Sequence, residues 1–117
     1  MAHIITRKKT ALIIADSGTT LTSAAITMNG LLRGVIVNAP AMTSSHTLTV
    51  AVNDVDSQAV FSKASIAGNA TTPLFLDANN IPYQAPLSGD HTIVVTSSGA
   101  ETGAKTINVT LLVESLI

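Results

Sequence analysis

The stretch KTINVTLLVE, residues 105–114, decides the fold because apolar and polar side chains alternate along it. Successive side chains of an extended strand point to opposite faces, so every second residue of the stretch shares one face. The apolar set is Ile107, Val109, Leu111 and Val113. Leu112 breaks the alternation and is expected to face a neighbour. This sustained period of two predicts a half-buried β-strand with the apolar set inward.

A second stretch, HTLTVAVND over residues 46–54, alternates in the same way and predicts another strand. Its inward residues are expected to be Leu48, Val50 and Val52. Clusters of Gly, Asn, Asp and Ser recur at intervals of roughly 8 to 12 residues, the spacing of turns in a sandwich or barrel. Asn29-Gly30, between two apolar segments, predicts a two-residue hairpin turn.

Helix signals are weak throughout the chain. No window carries apolar residues at the i, i+3, i+4, i+7 spacing, and the helix formers Glu, Lys, Arg and Gln are scarce. The sequence therefore predicts an all-β chain, an antiparallel β-sandwich or jelly-roll-like single domain over residues 11–117. Residues 1–10 are expected to form a flexible N-terminal arm.

The composition restricts the partners that the chain can bind. Charged residues make up 11% of its 117 residues and the net charge is −1, whereas soluble domains usually carry roughly 25% charged residues. Its few aromatic residues offer no stacking platform for bases. No apolar run approaches the roughly 18 residues of a membrane helix, and the run before Asp16 is too short for a signal peptide. We expect no nucleic-acid partner, no membrane and synthesis in the cytoplasm.

The segment SSGAETGAKT, residues 97–106, looks like a phosphate-binding loop because Gly99, Gly103 and Lys105 lie close to the required positions. The residue before Lys105 is Ala104 instead of glycine. The period of two that follows predicts a strand, where a phosphate-binding loop needs the N-terminus of a helix. We interpret the segment as the tip of a hairpin that joins the last two strands, and we expect no nucleotide cofactor.

The sequence contains no recognisable catalytic or metal-binding constellation. The acidic loop over residues 53–57 could offer oxygens to calcium, but an EF-hand needs Gly and Glu where Ala59 and Ser65 stand. A plain hairpin turn is favoured there, and a site completed by a second subunit stays open. No histidine pair has metal-ligand spacing and no serine lies in a G-x-S-x-G motif; the histidines are His3, His46 and His91. We expect no enzyme, no cofactor and no resident metal.

The run Arg7-Lys8-Lys9 is the main concentration of charge. Three charges are fewer than the roughly 5 to 8 of a nucleic-acid patch. One interpretation is a solvated arm, and the other is an arm that docks on an acidic surface of a partner.

The order of segments over residues 11–114 resembles the small β-sandwich head decoration, or capsid cementing, proteins of tailed bacteriophages. The segments that carry the resemblance are DSGTTL, MNG, LLRGVIVNAP, TLTVAVNDVDSQAVFS, GNATTPLFL and PLSGDHTIVVTSSGAETGAKTINVTLLVE. The resemblance implies a non-enzymatic virion protein that binds the outer capsid surface, often as a homotrimer, and ties subunits of the major capsid protein together. It also implies synthesis in the host cytoplasm. The candidate capsid-binding residues are Arg7, Lys8 and Lys9, on an arm over residues 2–10 that is expected to order on the shell.

Two alternatives stay open at this point. A tail- or fibre-associated phage module would have the same sandwich class. A carbohydrate-binding module would need an exposed aromatic face, and Tyr83, in the segment NNIPYQAP, is the residue placed in a loop to supply one.

Overall fold

The computed structural model describes residues 3–116, and the side chains of residues 4–115. Ten strands and one 3-10 turn over Thr43–Ser45 make up the regular structure of this part of the chain. The strands are β1 His3–Ile14, β2 Thr20–Thr22, β3 Ile26–Thr27, β4 Gly30–Ala39, β5 Leu48–Asn53, β6 Ala59–Ile66, β7 Ala70–Leu74, β8 Ala85–Leu87, β9 Asp90–Ser97 and β10 Lys105–Leu116.

The strands form two antiparallel sheets. The first has the order β1-β10-β4-β7, with β8 also paired to β4. The second has the order β2-β9-β5-β6, with β3 also paired to β9. The two sheets pack their apolar faces together, and the prediction of an all-β antiparallel sandwich is confirmed.

The core lies between the sheets and follows the alternation of the sequence. In β10 the side chains of Ile107, Val109, Leu111 and Val113 are buried, and in β5 those of Leu48, Val50 and Val52 are buried. Both predictions of inward residues are confirmed. Leu112 is half-buried on the opposite face of β10. Each fully buried aliphatic side chain of this kind stabilises the fold by roughly 1.5–3 kcal/mol.

The predicted arm lies in the first sheet. Residues 3–10 belong to β1, whose register with β10 runs without interruption from His3 opposite Leu116 to Ile14 opposite Lys105. The boundary expected between residues 10 and 11 is therefore absent, and residues 1 and 2 lie outside the described residues. The reason is that β10 continues to Leu116 and offers backbone partners to the whole of β1. Charged side chains are compatible with such an edge strand.

Two connections expected to be hairpins instead carry the chain from one sheet to the other. β3 pairs with β9 in the second sheet and β4 pairs with β10 in the first, so Asn29-Gly30 joins the sheets. In the same way, residues 98–104 join β9 of the second sheet to β10 of the first. The turn residues were recognised correctly, but the pairing of the flanking strands was wrong.

The acidic loop between β5 and β6 is a hairpin turn stabilised by its own aspartate. The Asp54 Oδ1 atom accepts the backbone N–H groups of Asp56 and Gln58, each at 2.9 Å. Asp77 accepts the N–H groups two and four residues later in the same way, up to Ile81. The prediction of a plain turn, with Asp bonding nearby backbone, is confirmed.

Gly30 is required by both its backbone conformation and its surroundings. Its φ is +134°, and an added Cβ would collide with the backbone carbonyl of Glu114 in β10. Gly89 has a φ of +83°, but nothing lies within 4 Å of the place its Cβ would take.

We expect Gly30→Ala to lower the free energy of unfolding by roughly 2–5 kcal/mol, the sum of backbone strain and an overpacked contact. Gly89→Ala is the matched control, and backbone strain alone predicts a loss of roughly 1–3 kcal/mol. Urea unfolding followed by circular dichroism measures both. Equal losses in the two variants would contradict the assigned collision with β10.

Candidate functional site

The basic segment Arg7-Lys8-Lys9 lies in the middle of β1, at the edge of the first sheet. Arg7 and Lys9 are exposed and Lys8 is half-buried. Arg7 stands opposite Leu112 and Lys9 opposite Thr110, which places both cations on the face of the sheet that turns away from the core. Within residues 4–115, none of the three cations forms a salt bridge. The three candidate residues thus form an exposed positive edge.

The outer face of the first sheet, meaning the face turned away from the core, carries apolar side chains next to this edge. The ring of Phe75 lies against Gly34, where an added Cβ would collide with it. Gly34 stands opposite Leu112, and Leu112 stands opposite Arg7, so one row crosses the sheet from an aromatic ring to a cation.

Large apolar side chains are exposed near this row. Six of them lie on β1 or in the segment after β7, and they are Ile4, Ile5, Ile13, Phe75, Leu76 and Ile81. Their exposed fractions range from 41% for Ile4 to 54% for Ile81. Of these, Ile5 and Ile13 share the outer face with Arg7, and Phe75 lies on that face against Gly34. Exposed apolar side chains that share one face of a sheet are typical of interaction sites. The outer face and its positive edge are therefore the candidate interaction surface.

A second cluster lies at one end of the sandwich, around the buried carboxylate of Glu101. Glu101 is 1% exposed. Its Oε1 atom accepts the backbone N–H of Thr43 at 2.9 Å. Its Oε2 atom accepts the hydroxyl of Ser97 at 2.6 Å and lies 2.6 Å from Nδ1 of His46. Both carboxylate oxygens are therefore satisfied, as a buried charge requires.

The Glu101 cluster ties three connections together. The backbone carbonyl of Glu101 accepts the N–H of Ser17 at 2.7 Å, and its own N–H donates to the carbonyl of Gly18 at 3.0 Å. The hydroxyl of Thr43 accepts the N–H of Thr102 at 2.9 Å. The connections after β1, after β4 and after β9 are thus fixed to one residue, Glu101, through its backbone and its carboxylate.

The pKa of Glu101 reflects two opposing causes. Burial raises it, because an ionised carboxylate loses its water shell. Hydrogen bonds from Ser97, the Thr43 backbone and His46 outweigh burial and lower the pKa from 4.5 to about 2. Glu101 is therefore ionised at neutral pH.

The Glu101 cluster does not have the geometry of a hydrolase triad. In a triad the serine hydroxyl bonds to the imidazole, and the carboxylate bonds to the other ring nitrogen. Here Ser97 and His46 both bond to the same carboxylate oxygen. Nε2 of His46 lies against Gly99, where an added Cβ would collide with it. The arrangement holds loops in place and does not activate a nucleophile.

A cleft of about 360 Å³ lies beside this cluster. Among the residues that line it, His46 is the sole ionisable side chain, and the others are small, apolar or uncharged. Ser44 and Ser45 next to it have φ values of +50° and +58°, an unusual pair of left-handed residues. Half of its lining residues carry polar side chains, namely Ser45, His46, Thr47 and Asn69.

The histidines and Tyr83 lie apart from one another. His91 is buried in β9, and its Nδ1 lies 2.9 Å from the Gly89 carbonyl. His3 begins β1, and its side chain lies outside the description. Tyr83 is half-buried, with its ring 5.0 Å from that of Phe61 in an edge-to-face contact. Across the described residues, no three His, Asp or Glu side chains are grouped so that they could hold a metal ion.

The segment that looks like a phosphate-binding loop leads into a strand. Lys105 is the first residue of β10, and no helix follows Gly103. The prediction of a strand at this point is confirmed. The segment carries Glu101, which bonds to the connections described above.

Sequence reasoning missed Glu101, Ser97 and Thr43 as a unit. One signal was present, since Glu101 is one of only two glutamates in the chain and lies between two glycines. Its partners lie 4 to 58 residues away, so local spacing does not reveal them.

Comparison with known proteins gives distant likenesses only. No protein-family model and no curated protein matches the chain. A pilus structure from Bacillus endospore appendages is 13% identical with a TM-score of 0.46, and the match covers 97% of this chain and 92% of that one. The VP2 subviral particle of infectious bursal disease virus is 14% identical with a TM-score of 0.45, and the match covers 96% of this chain.

This chain spans about a third of the viral protein, 32% of its length. The two structures come from a pilus and a virus particle, not from a bacteriophage decoration protein. Likenesses at such TM-scores carry no argument about what this chain does. Separately, the described part of the chain has no helix that is long and apolar enough to span a membrane.

Replacing the Glu101 carboxylate should change how stability depends on pH. A lowered pKa in the folded state means that ionised Glu101 stabilises the fold above pH 4.5, and that this contribution disappears as the pH falls toward about 2. We expect Glu101→Gln to be less stable than the wild type at neutral pH, with the difference shrinking below pH 4.5. Urea unfolding at a series of pH values measures the difference.

Asp56→Asn is the control for this experiment, because Asp56 is exposed and its side chain forms no hydrogen bond within the described structure. Its stability should follow that of the wild type across the same pH range. A deficit in Glu101→Gln that stays constant with pH would contradict the assigned charge.

Proposed function

We propose that the chain is a non-enzymatic structural protein that binds the outer surface of a bacteriophage capsid and cements the shell. Its partner is the major capsid protein, and it acts as a homotrimer on the virion after synthesis in the host cytoplasm. The observation that carries the proposal is the outer face of the first sheet, where exposed Ile5, Ile13 and Phe75 lie beside a positive edge. The resemblance in the order of its segments supports the choice of capsid as the partner.

The scarcity of charge favours a surface that becomes buried in an assembly. An ion buried without a partner destabilises a complex by several kcal/mol, and a chain with 11% charged residues exposes few such ions. The half-exposed apolar side chains of the outer face would each contribute favourable burial on contact with a shell. Assembly into a trimer would also cover edge strands that otherwise pair without control.

The non-enzymatic assignment rests on the arrangement of the polar groups. The conspicuous polar cluster, around Glu101, uses its hydrogen bonds to hold three connections. The cleft beside it has a single ionisable lining residue, His46, whose Nδ1 already bonds to Glu101. A catalytic site needs several convergent groups aimed at one position.

The two alternative functions, a tail- or fibre-associated module and a carbohydrate-binding module, differ in how well the structure supports them. A tail- or fibre-associated module would use the same outer face, so only the location of the protein in the virion separates it from a head protein. A carbohydrate-binding module loses its candidate residue, because Tyr83 packs its ring against Phe61 and is half-buried.

The proposal predicts that the purified protein rebinds capsids assembled without it and raises their melting temperature. Replacing the two exposed isoleucines on the outer face of β1, as Ile5→Thr with Ile13→Thr, should weaken that binding by about tenfold or more, because apolar area is no longer buried. Val55→Thr is the matched control, since Val55 is 67% exposed in the β5–β6 turn, away from the outer face. Co-sedimentation measures occupancy, and sedimentation equilibrium measures the expected trimer mass.

Several outcomes would refute the proposal. Wild-type protein that leaves the shells unoccupied would do so, and so would an equal loss of binding by the isoleucine variant and the Val55 control. Density for the protein on the tail instead of the head in virion images would show that it binds the tail and not the capsid.

A further inference from the structure

The sheet edges of this protein are not alike. β7 is five residues long and contains Pro73, which has no N–H to offer. β2 and β3 are three and two residues long. β6 is longer, but its register with β5 shifts at two places. Short strands, prolines, irregularities and charged side chains are devices by which proteins block further pairing at an edge.

β1 has only the last of these devices, the charges of Arg7, Lys8 and Lys9. It is twelve residues long, contains no proline, and pairs with β10 in a single uninterrupted register. In an antiparallel pair, alternate residues point their N–H and C=O groups away from the partner strand. About half of the residues of β1 therefore present both groups at the free edge, which is a template for another strand.

The charges of β1 decide what kind of strand fits this edge. Antiparallel pairing of two β1 strands joins residues of the same face, so pairing centred on the basic run would place Lys8 opposite Lys8 with Arg7 opposite Lys9 twice, or Lys9 opposite Lys9. Like charges directly opposite each other destabilise a sheet, so a second β1 is a poor occupant. Opposite charges in the same positions stabilise it. The edge therefore favours a strand that carries carboxylates.

The faces of β1 set the spacing of those carboxylates. Arg7 and Lys9 are two residues apart, exposed and on the same outer face, while Lys8 points to the other face. Ile5 lies two residues before Arg7 on the same outer face and is 53% exposed. A matching strand carries two acidic residues separated by one residue, with an apolar residue two positions beyond.

We propose that the free edge of β1 binds an extended acidic segment of the partner protein as an added strand. Its backbone pairs along residues 4–10, and its two carboxylates meet Arg7 and Lys9 on the outer face. This deepens the proposed function and rests on it, since it names the chemistry of the contact with the shell. It assigns the basic run a pairing role within a formed sheet.

The test uses the full chain and a nine-residue peptide, acetyl-TVTETETVT-amide, whose symmetry lets it pair in either direction. Nuclear magnetic resonance titration should detect weak, saturable binding to the wild type. The β1 amides that point away from β10 should exchange their hydrogens more slowly in the presence of the peptide.

Two control peptides separate strand pairing from simple attraction. The lysine version, TVTKTKTVT, keeps the strand propensity and reverses the charge. A version of the glutamate peptide N-methylated at two adjacent central amides keeps the charge and removes donors on both edges. Both should bind the wild type at least about tenfold more weakly, since each lacks one of the two recognition elements.

A variant and its matched control test the cations. Arg7→Glu with Lys9→Glu should weaken binding of the glutamate peptide by about tenfold and restore binding of the lysine peptide. Lys63→Glu, an exposed lysine on the edge strand β6, should leave both affinities unchanged. The gain of lysine-peptide binding makes the result independent of any loss of stability in the double variant.

The inference is overturned if the N-methylated peptide binds as well as its parent, if the two charge types bind equally, or if the protected amides lie outside β1. Absence of peptide binding together with rebinding of capsids would reject this contact and leave the cementing function standing. Peptide binding by a protein that does not bind capsids would support this contact and reject the cementing function.

Discussion

The pairing of β10 with β1 on one side and β4 on the other is the constraint on which the rest of the structure depends. β10 places Ile107, Val109 and Leu111 at the centre of the core while its backbone bonds two long strands. These contacts join residues near both ends of the chain, so the first sheet forms only after long loops close. Topologies dominated by such distant pairings fold slowly compared with local ones.

The Glu101 cluster fixes loops in a chain that has no cysteine and therefore no disulfide bond. One ionised carboxylate accepts from a hydroxyl and a backbone N–H and bonds an imidazole, and its own backbone bonds a third connection. Hydrogen bonds to a charged group are stronger than those between neutral groups. The cleft, the strained pair Ser44–Ser45 and the end of β9 all take their positions around this carboxylate.

The strands and their inward faces could be predicted from the sequence. A period of two is a local property, and the apolar residues at every second position are the ones that become buried. The crossings between sheets at Asn29-Gly30 and at residues 98–104 could not be predicted, since turn chemistry does not say which sheet the next strand joins. The run Arg7-Lys8-Lys9 looks like a solvated arm until β10 is seen to extend beside it. Glu101 and Thr43 meet across 58 residues, a separation that no local pattern encodes.

The uninterrupted register of β1 also has a mechanical meaning. Hydrogen bonds in an antiparallel pair run perpendicular to the strands. Pulling His3 and Leu116 apart would open the β1–β10 pair one bond at a time, because these two residues face each other at the same end. Pulling a strand along its own axis loads all of its bonds together. A partner strand paired along the whole of β1 would therefore resist a force along the strand axis far better than a force that peels it from the end.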